Sequence, residues 1–482
     1  MIIRWICEKC NKKWIYPVEK CVYCKGDITK QKGTKIKVAG ITKVTIPSPM
    51  HPIIPYNILL LQDEFGNRIP KKTMRDYKIG DDYIEQKAKT KEAVSIVKVK
   101  YDIYEAIKES IELLHGIELS ADDKILIKPS IITAAYQYQA VNTNPDFLDA
   151  LLRLLFEHGI KKENIIVAEQ ALIDSEAIDA ASKAGILDVC KKHSVSFVDI
   201  SKGPFEEVES DGYKFNILKE ALNRKVINAP IMKTNFQLGI SGALENLTRL
   251  VDEKTQRQMY FDDVDKTIPK LAKAVPEVFT IADATNGMQE QGPLDLGEPA
   301  FLNLIFASKN AAALDAIFCE IAMLDVPLYV RNSDKNLARL EVVGNELDAL
   351  KYPLKAPIVN DTAHPDIKII DGKACPACLN MMYNLTSKLV GLRGEQLNLV
   401  IGSMLTKEML KGKDRLVALG DCAINKLQSL DIEPIAKIDE SIDGIEQFVL
   451  LKKLLTTKGE PKITPVDIVK SKMKKLLSKV IS

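Results

Sequence analysis

The chain has 482 residues, of which 46% are apolar and 27% charged, and its 67 basic and 65 acidic residues leave a net charge of +2. That composition excludes disordered and collagen-like structure, and the charge balance offers no general affinity for nucleic acid. At about 150 residues per domain the length predicts roughly three domains. No apolar run approaches the ~20 residues that cross a bilayer. Met1–Cys7 lacks the apolar region and cleavage site of a signal peptide, so the expected location is cytoplasmic. The nine Cys are clustered, and in an intracellular chain clustered pairs read as metal or redox sites rather than disulfides.

The first cluster is Cys7-x2-Cys10 followed, ten residues on, by Cys21-x2-Cys24. Each C-x2-C turn sets two sulfurs on one side of a knuckle, and two facing knuckles complete the S4 tetrahedron that zinc prefers. Four protein ligands leave no open position, so the expected zinc is structural. Rubredoxin-type iron and paired disulfides are the competing readings. Alternating residues over 35–46 and the run Tyr56–Leu61, closed by a turn at Asp63–Asn67, predict short strands of a small barrel after the ribbon. Tyr77–Gly80 and Tyr83-Ile84 follow them. Ribbon and barrel together resemble the zinc-ribbon/OB-fold family known as domain of unknown function 35, through Cys7, Cys10, Cys21, Cys24, Pro55-Tyr56 and Ile79-Gly80. The resemblance implies a zinc ribbon over 1–32, an OB-fold barrel over 33–92, and a thiolase-like or other acyl-CoA enzyme as partner. An OB barrel could instead bind single-stranded nucleic acid, since residues 1–30 carry seven basic and three acidic side chains beside Trp5, Trp14, Tyr16 and Tyr23. Aromatics of a ribbon usually form its core, so this is the weakest reading.

From about residue 93 to 350 strands alternate with helices, the pattern of an α/β domain with a mainly parallel sheet. Strands are expected at Ser95–Val99, Ile125–Ile127, Ile165–Ala168, Phe197–Ile200, Val226–Met232, Val278–Asp283 and Leu302–Ala307. Helices are expected from Asp102, from the Asn144-Pro145 start, and over Ala311–Ala322 with Asp315 inside. Open α/β sheets bind ligands beyond the carboxyl ends of their strands, which singles out Lys128, Lys233 and Asp283. Two lysines there suit a small carboxylate or acyl-thioester, and Asp283 or Glu290 is the candidate general base. The ordered stretches Ile127–Ser130, Thr143–Pro145, Asn228–Thr234, Ser241–Leu247, Gly287–Pro293 and Ala313–Ala316 resemble the family known as domain of unknown function 362. That resemblance implies an iron–sulfur association without a settled reaction. Asn235 stands where the family commonly has His, and Glu245 where it has Lys. The five His share no ligand spacing, and His115-Gly116 and His158-Gly159 read as helix ends.

After a Pro-rich connector, residues 365–458 read as a Rossmann-like α/β domain. Cys375-Pro376-Ala377-Cys378 and Cys422 each follow a strand and open a helix. If those strands run parallel, the three thiols share one sheet edge. They admit a three-thiolate [4Fe–4S] cluster, a redox dithiol, a second zinc, or simple buried thiols. Cys190 and Cys319 sit in apolar helical stripes and read as core. Residues 464–482, started by Thr464-Pro465, predict a basic amphipathic helix. The functional expectation is a metalloprotein enzyme acting on a small carboxylate or acyl-thioester. Its alternatives are an acyl-handling scaffold subunit and a nucleic-acid module.

Overall fold

The computed structural model describes residues 2–457 apart from 50, 85, 172–175, 295, 296, 335, 338, 339, 358–363, 375, 388, 390 and 440–443. Cys375 and the helix expected over 464–482 therefore lie outside the described residues. The chain divides into two units. The first comprises Met1–Asp252 and Ile268–Pro357, and the second comprises Glu253–Thr267 and Ile358–Ser482.

The first unit begins with a three-stranded antiparallel sheet in which Ile2–Cys7 lies between Lys13–Trp14 and Ile28–Gly33. A second antiparallel sheet orders Lys37–Val44, Tyr56–Gln62 and Arg68–Thr73 as a meander. Its third strand escapes a sequence reading because Pro70 and the pair Lys71-Lys72 hide it. Ile2, Ile36, Val38, Leu59 and Leu61 make a small core between these strands. The turn at 63–67 is held by Asp63, whose Oδ1 accepts the amides of Phe65 and Asn67. Among the described residues these strands make two three-stranded sheets, and no closed barrel is shown.

The main sheet runs in the order Ser196–Asp199, Ile165–Glu169, Ile125–Pro129, Lys225–Ala229, Glu277–Glu290, Leu304–Ser308, Val94–Lys98, Val342–Gly344. The first five are mutually parallel, and Leu304–Ser308 is antiparallel to both its neighbours. Ile125–Pro129 and Ile165–Glu169 are buried along their whole length, as expected of strands covered on both faces. The strand read as continuous through Val226–Met232 breaks at Pro230, which has no amide to donate, into Lys225–Ala229 and Ile231–Asn235. The helix Pro145–Glu157 starts as expected: Asn144 accepts the Asp146 amide, and Phe147, Leu148, Leu151, Leu152, Leu154 and Leu155 face the core. Ala311–Ala322 is buried except at Glu320, its small side chains letting the helix sink into the unit. The ribbon is tied to this body by the Ile3 amide, which donates to the Tyr101 hydroxyl at 2.8 Å, and by the edge-on contact of Trp5 with Tyr101.

The second unit carries a four-stranded, wholly parallel sheet ordered Ile367–Gly372, Leu397–Gly402, Leu416–Leu419, Ala436–Ile438. Helices Pro376–Ser387 and Asp421–Ser429 follow the first and third strands. Cys378 and Cys422 thus stand in helices that each follow a strand of this parallel sheet.

Candidate functional site

Three clusters of chemistry-bearing residues emerge. In the ribbon, the sulfurs of Cys7, Cys10, Cys21 and Cys24 all lie within 4.8 Å of one another. Cys7 and Cys24 are 3.4 Å apart and Cys10 and Cys21 3.5 Å. Zn–S bonds of about 2.3 Å require tetrahedral edges of roughly 3.8 Å, so the four sulfurs, all within 4.8 Å of one another, can close on one ion with small shifts. The two knuckles repeat each other. The amides of Asn11 and Lys25 close onto the carbonyls of Cys7 and Cys21, both at 2.9 Å, and both residues are left-handed at φ 57°. The Cys10 and Cys24 amides donate to the Cys7 and Cys21 sulfurs. Burial works against ionising Cys21, but the amides of Cys24 and Tyr23 outweigh it and hold the thiol down at about 6.

The second cluster fills the carboxyl edge of the main sheet with buried polar groups. The Lys128 ammonium meets the Glu169 carboxylate at 2.6 Å, with both side chains out of solvent. It also donates to Pro129 O at 2.9 Å and Asn246 Oδ1 at 3.3 Å. Glu169 further accepts the amides of Ile131 and Gln170. Asn246 returns hydrogen bonds to Lys128 O and Asn228 Oδ1, which ties the Ala243–Asn246 helix to two strand ends. An internal carboxylate therefore stands where the sequence reading placed a substrate anion against Lys128. Burial pushes the Lys128 amine down and the Glu169 carboxyl up, against their mutual attraction.

Lys233 is also fully buried, donating to Val141 O at 2.7 Å. Burial carries its amine down to about 7, opposed by the charges of Glu245 and Glu169. Asp283 accepts the Asn144 amide at 3.0 Å and both the amide and hydroxyl of Thr285, so it anchors the start of the Pro145–Glu157 helix. Burial raises its carboxyl. Glu290 lies apart, half-buried and paired with Lys355 at 2.7 Å. Asn235 caps its own hairpin, accepting the amides of Gln237 and Leu238 and donating to Ser241. The sequence reading missed Glu169 and the role of Asp315. The former is legible as an acid directly behind a buried apolar strand. The latter accepts the Ala243 and Leu244 amides, and burial lifts its carboxyl to about 7.

The third cluster belongs to the second unit. A Cβ placed on Gly420 would fall 2.4 Å from Cys378 Sγ, so that thiol lies directly against the turn preceding Cys422. Gly420 has φ +84°, a conformation glycine accepts without strain. Beside this turn a cavity of about 190 Å³ is lined by Cys422, Ser403, Lys373, Lys254 and Arg257. Three cationic side chains line this recess with the thiol, Arg257 being paired with Glu253 at 2.7 Å, and only Cys422 of these was singled out from sequence. Lys254 and Arg257 come from a segment far away in the chain, and no local motif marks them. Cys190 and Cys319 are buried, as expected of core thiols.

Fold and sites define a mixed α/β protein with a mainly parallel sheet and an amino-terminal four-cysteine cluster able to hold a metal ion. Residues 125–320 match the family described as "Domain of unknown function (DUF362)". Over 265 residues, 53% of this chain and 77% of the relative, the sequence is 24% identical to Thylakoid-associated protein sll1697 of Synechocystis. Among solved structures, an Ltp2-ChsH2(DUF35) aldolase is similar at 17% identity, covering 17% of this chain and 71% of that one with a TM-score of 0.15. Among the described residues no helix is long and apolar enough to cross a membrane.

Proposed function

We propose that the protein is a metalloenzyme with two thiolate sites of different purpose. Cys7, Cys10, Cys21 and Cys24 hold a structural zinc ion that organises the ribbon. Cys378 and Cys422, together with Cys375 of the same C-x2-C motif, hold a [4Fe–4S] cluster that supplies redox or Lewis-acid chemistry to a small carboxylate or acyl-thioester. The observation that carries this reading is the seating of Cys378 against the Gly420 turn, beside a cavity walled by Lys254, Arg257 and Lys373. The donor set suits the group, because thiolates are the usual ligands of such clusters and the lysines and arginine offset an anionic centre. The same cations receive the carboxylate of a substrate and orient it toward the thiols. The buried Lys128–Glu169 pair, Lys233 and Asp283 hold the carboxyl edge of the main sheet in a fixed shape.

Anaerobic purification of the full chain with iron, sulfide and zinc analysis tests this. Zinc together with iron, sulfide and a broad visible absorbance is expected. Cys378→Ser and Cys422→Ser should each lose the iron and the absorbance while keeping the zinc. Zinc without iron overturns the cluster.

A second reading rests on a cavity of about 600 Å³ lined by Ile36, Ile84 and Leu113 together with Lys35, Lys37, Lys87, Asp82, Glu109 and Glu112. Its apolar residues suit an acyl chain, and Lys35 and Lys87, set among the acids, can meet a phosphate-bearing carrier, as an acyl-handling module beside an acyl-CoA enzyme would require. Binding of an acyl-CoA that is lost in Leu113→Glu, with free CoA bound only weakly, is the expected result. Equal affinity for both ligands overturns it.

A further inference from the structure

A separate cavity of about 450 Å³, lined by Tyr136, Tyr138, Pro145, Lys183, Gly185 and Asn286, lies by the carboxyl ends of the main-sheet strands, where open α/β sheets receive ligands. The rings of Tyr136 and Tyr138 are stacked, with centroids 5.7 Å apart and planes within 14°. Both are exposed, Tyr138 at 71%. Tyrosines left in solvent forgo the burial that ordinarily stabilises aromatic side chains, and a preformed stack offers its face to another flat ring. The Lys183 ammonium stands 4.6 Å from the Tyr136 ring centre and places a positive charge beside the stack.

Two helix starts meet in the same wall. Pro145 is the first residue of Pro145–Glu157, and Gly185 is the residue preceding Ile186–His193. A Cβ on Gly185 would lie 3.3 Å from Pro145 Cγ, so the two ends abut. Helix amino-termini carry partial positive charge and favour anions. Asn286 Oδ1, in the same lining, is buried without a hydrogen-bond partner, an acceptor lacking a donor.

From these features we infer that the cavity binds a nucleotide-class ligand, a flat nitrogen heterocycle joined to an anionic group. The ring stacks on the Tyr136–Tyr138 pair and presents an amino or ring N–H group to Asn286. The anionic group is held by Lys183 and the start of Ile186–His193, because the amides at the Asn144-Pro145 start are already bonded to Asn144. This site is independent of the thiols and of the reading given for them.

Calorimetric titration of the full chain with AMP, GMP, CMP and UMP, and separately with adenosine and inorganic phosphate, tests the inference. Saturable binding of at least one mononucleotide is expected. Tyr138→Ala should weaken it about tenfold or more, the scale of one lost base stack. Lys183→Ala should weaken the nucleotide while leaving the affinity of the matching nucleoside unchanged. Thermal melting of both variants at the wild-type temperature shows that the fold is intact, as expected for exposed side chains. Absence of saturable binding by all four mononucleotides overturns the inference, as does unchanged affinity in both variants. Inorganic phosphate bound as tightly as the best mononucleotide overturns the stacking role. Binding of a single-stranded oligonucleotide without any mononucleotide binding overturns it in favour of an extended strand surface.

Discussion

Lys128 and Glu169, on adjacent parallel strands, meet at 2.6 Å with their side chains 0% and 2% exposed. A buried pair recovers its desolvation cost only when both partners remain and their other hydrogen-bonding positions are filled. Here Pro129 O, Asn246 and the amides of Ile131 and Gln170 fill them. Lys128→Met alone and Glu169→Gln alone should each cost about 3–5 kcal/mol. The double variant should cost less than the sum, and urea denaturation of the four proteins in a double-mutant cycle measures the difference. Additive losses would show that the two groups act separately.

Lys233 predicts a pH dependence. Its folded-state amine is held down near 7 against 10.5 for an ordinary lysine. The unfolded chain therefore binds more protons between those values, and stability rises with pH across this window. The penalty for burying the charge is fully present below about pH 7. A slope of up to about 1.4 kcal/mol per pH unit follows for one proton. Unfolding free energies of wild type and Lys233→Met at pH 7 and 9 should show this rise in the former and a flatter profile in the latter.

Gly242 leaves room for the Asp315 carboxylate beside it in the first unit. A Cβ at Gly242 would lie 2.1 Å from Asp315 Oδ1 and 3.1 Å from the Met232 side chain. Gly242→Ala should displace the carboxylate from the Ala243 and Leu244 amides and lower the melting temperature by several degrees. Gly391→Ala, where no atom lies within 4 Å of the added carbon and the backbone is not left-handed, isolates the general cost of replacing a glycine by alanine. Equal effects in the two variants would remove any special role for the contact.

The four-cysteine knuckle should behave as a folding element. Cys10→Ser or metal chelation should expose residues 1–33 to protease and shift the unfolding transition downward. The main sheet, with its own core, should resist digestion. Limited proteolysis with mass analysis before and after chelation reads this out.

Much of the local architecture was legible in order along the chain. Asn144-Pro145 starts its helix as capping chemistry dictates, and Ala311–Ala322 has the expected bounds. The Cys7/Cys10 and Cys21/Cys24 knuckles converge because each C-x2-C turn is a short, self-contained geometry. The strand Arg68–Thr73 was hidden by proline and lysines, and the break at Pro230 divided a strand that reads as continuous. Those choices depend on pairing partners, which local propensity does not name.

The sites divide along the same line. Residue type and spacing alone point to one cluster of four cysteines and to Lys128 and Cys422 at strand ends. Lys233 instead lies within Ile231–Asn235, and Asp283 within Glu277–Glu290, a strand that continues past its expected end. Only the tertiary structure decides what faces them. It sets Glu169 against Lys128, Asn144 against Asp283, and Lys254 and Arg257 beside Cys422. A turn of four residues fixes its own geometry through bonded constraints and short-range hydrogen bonds. A partner dozens of residues away is selected by sheet order and burial, and these exist only once the chain has folded.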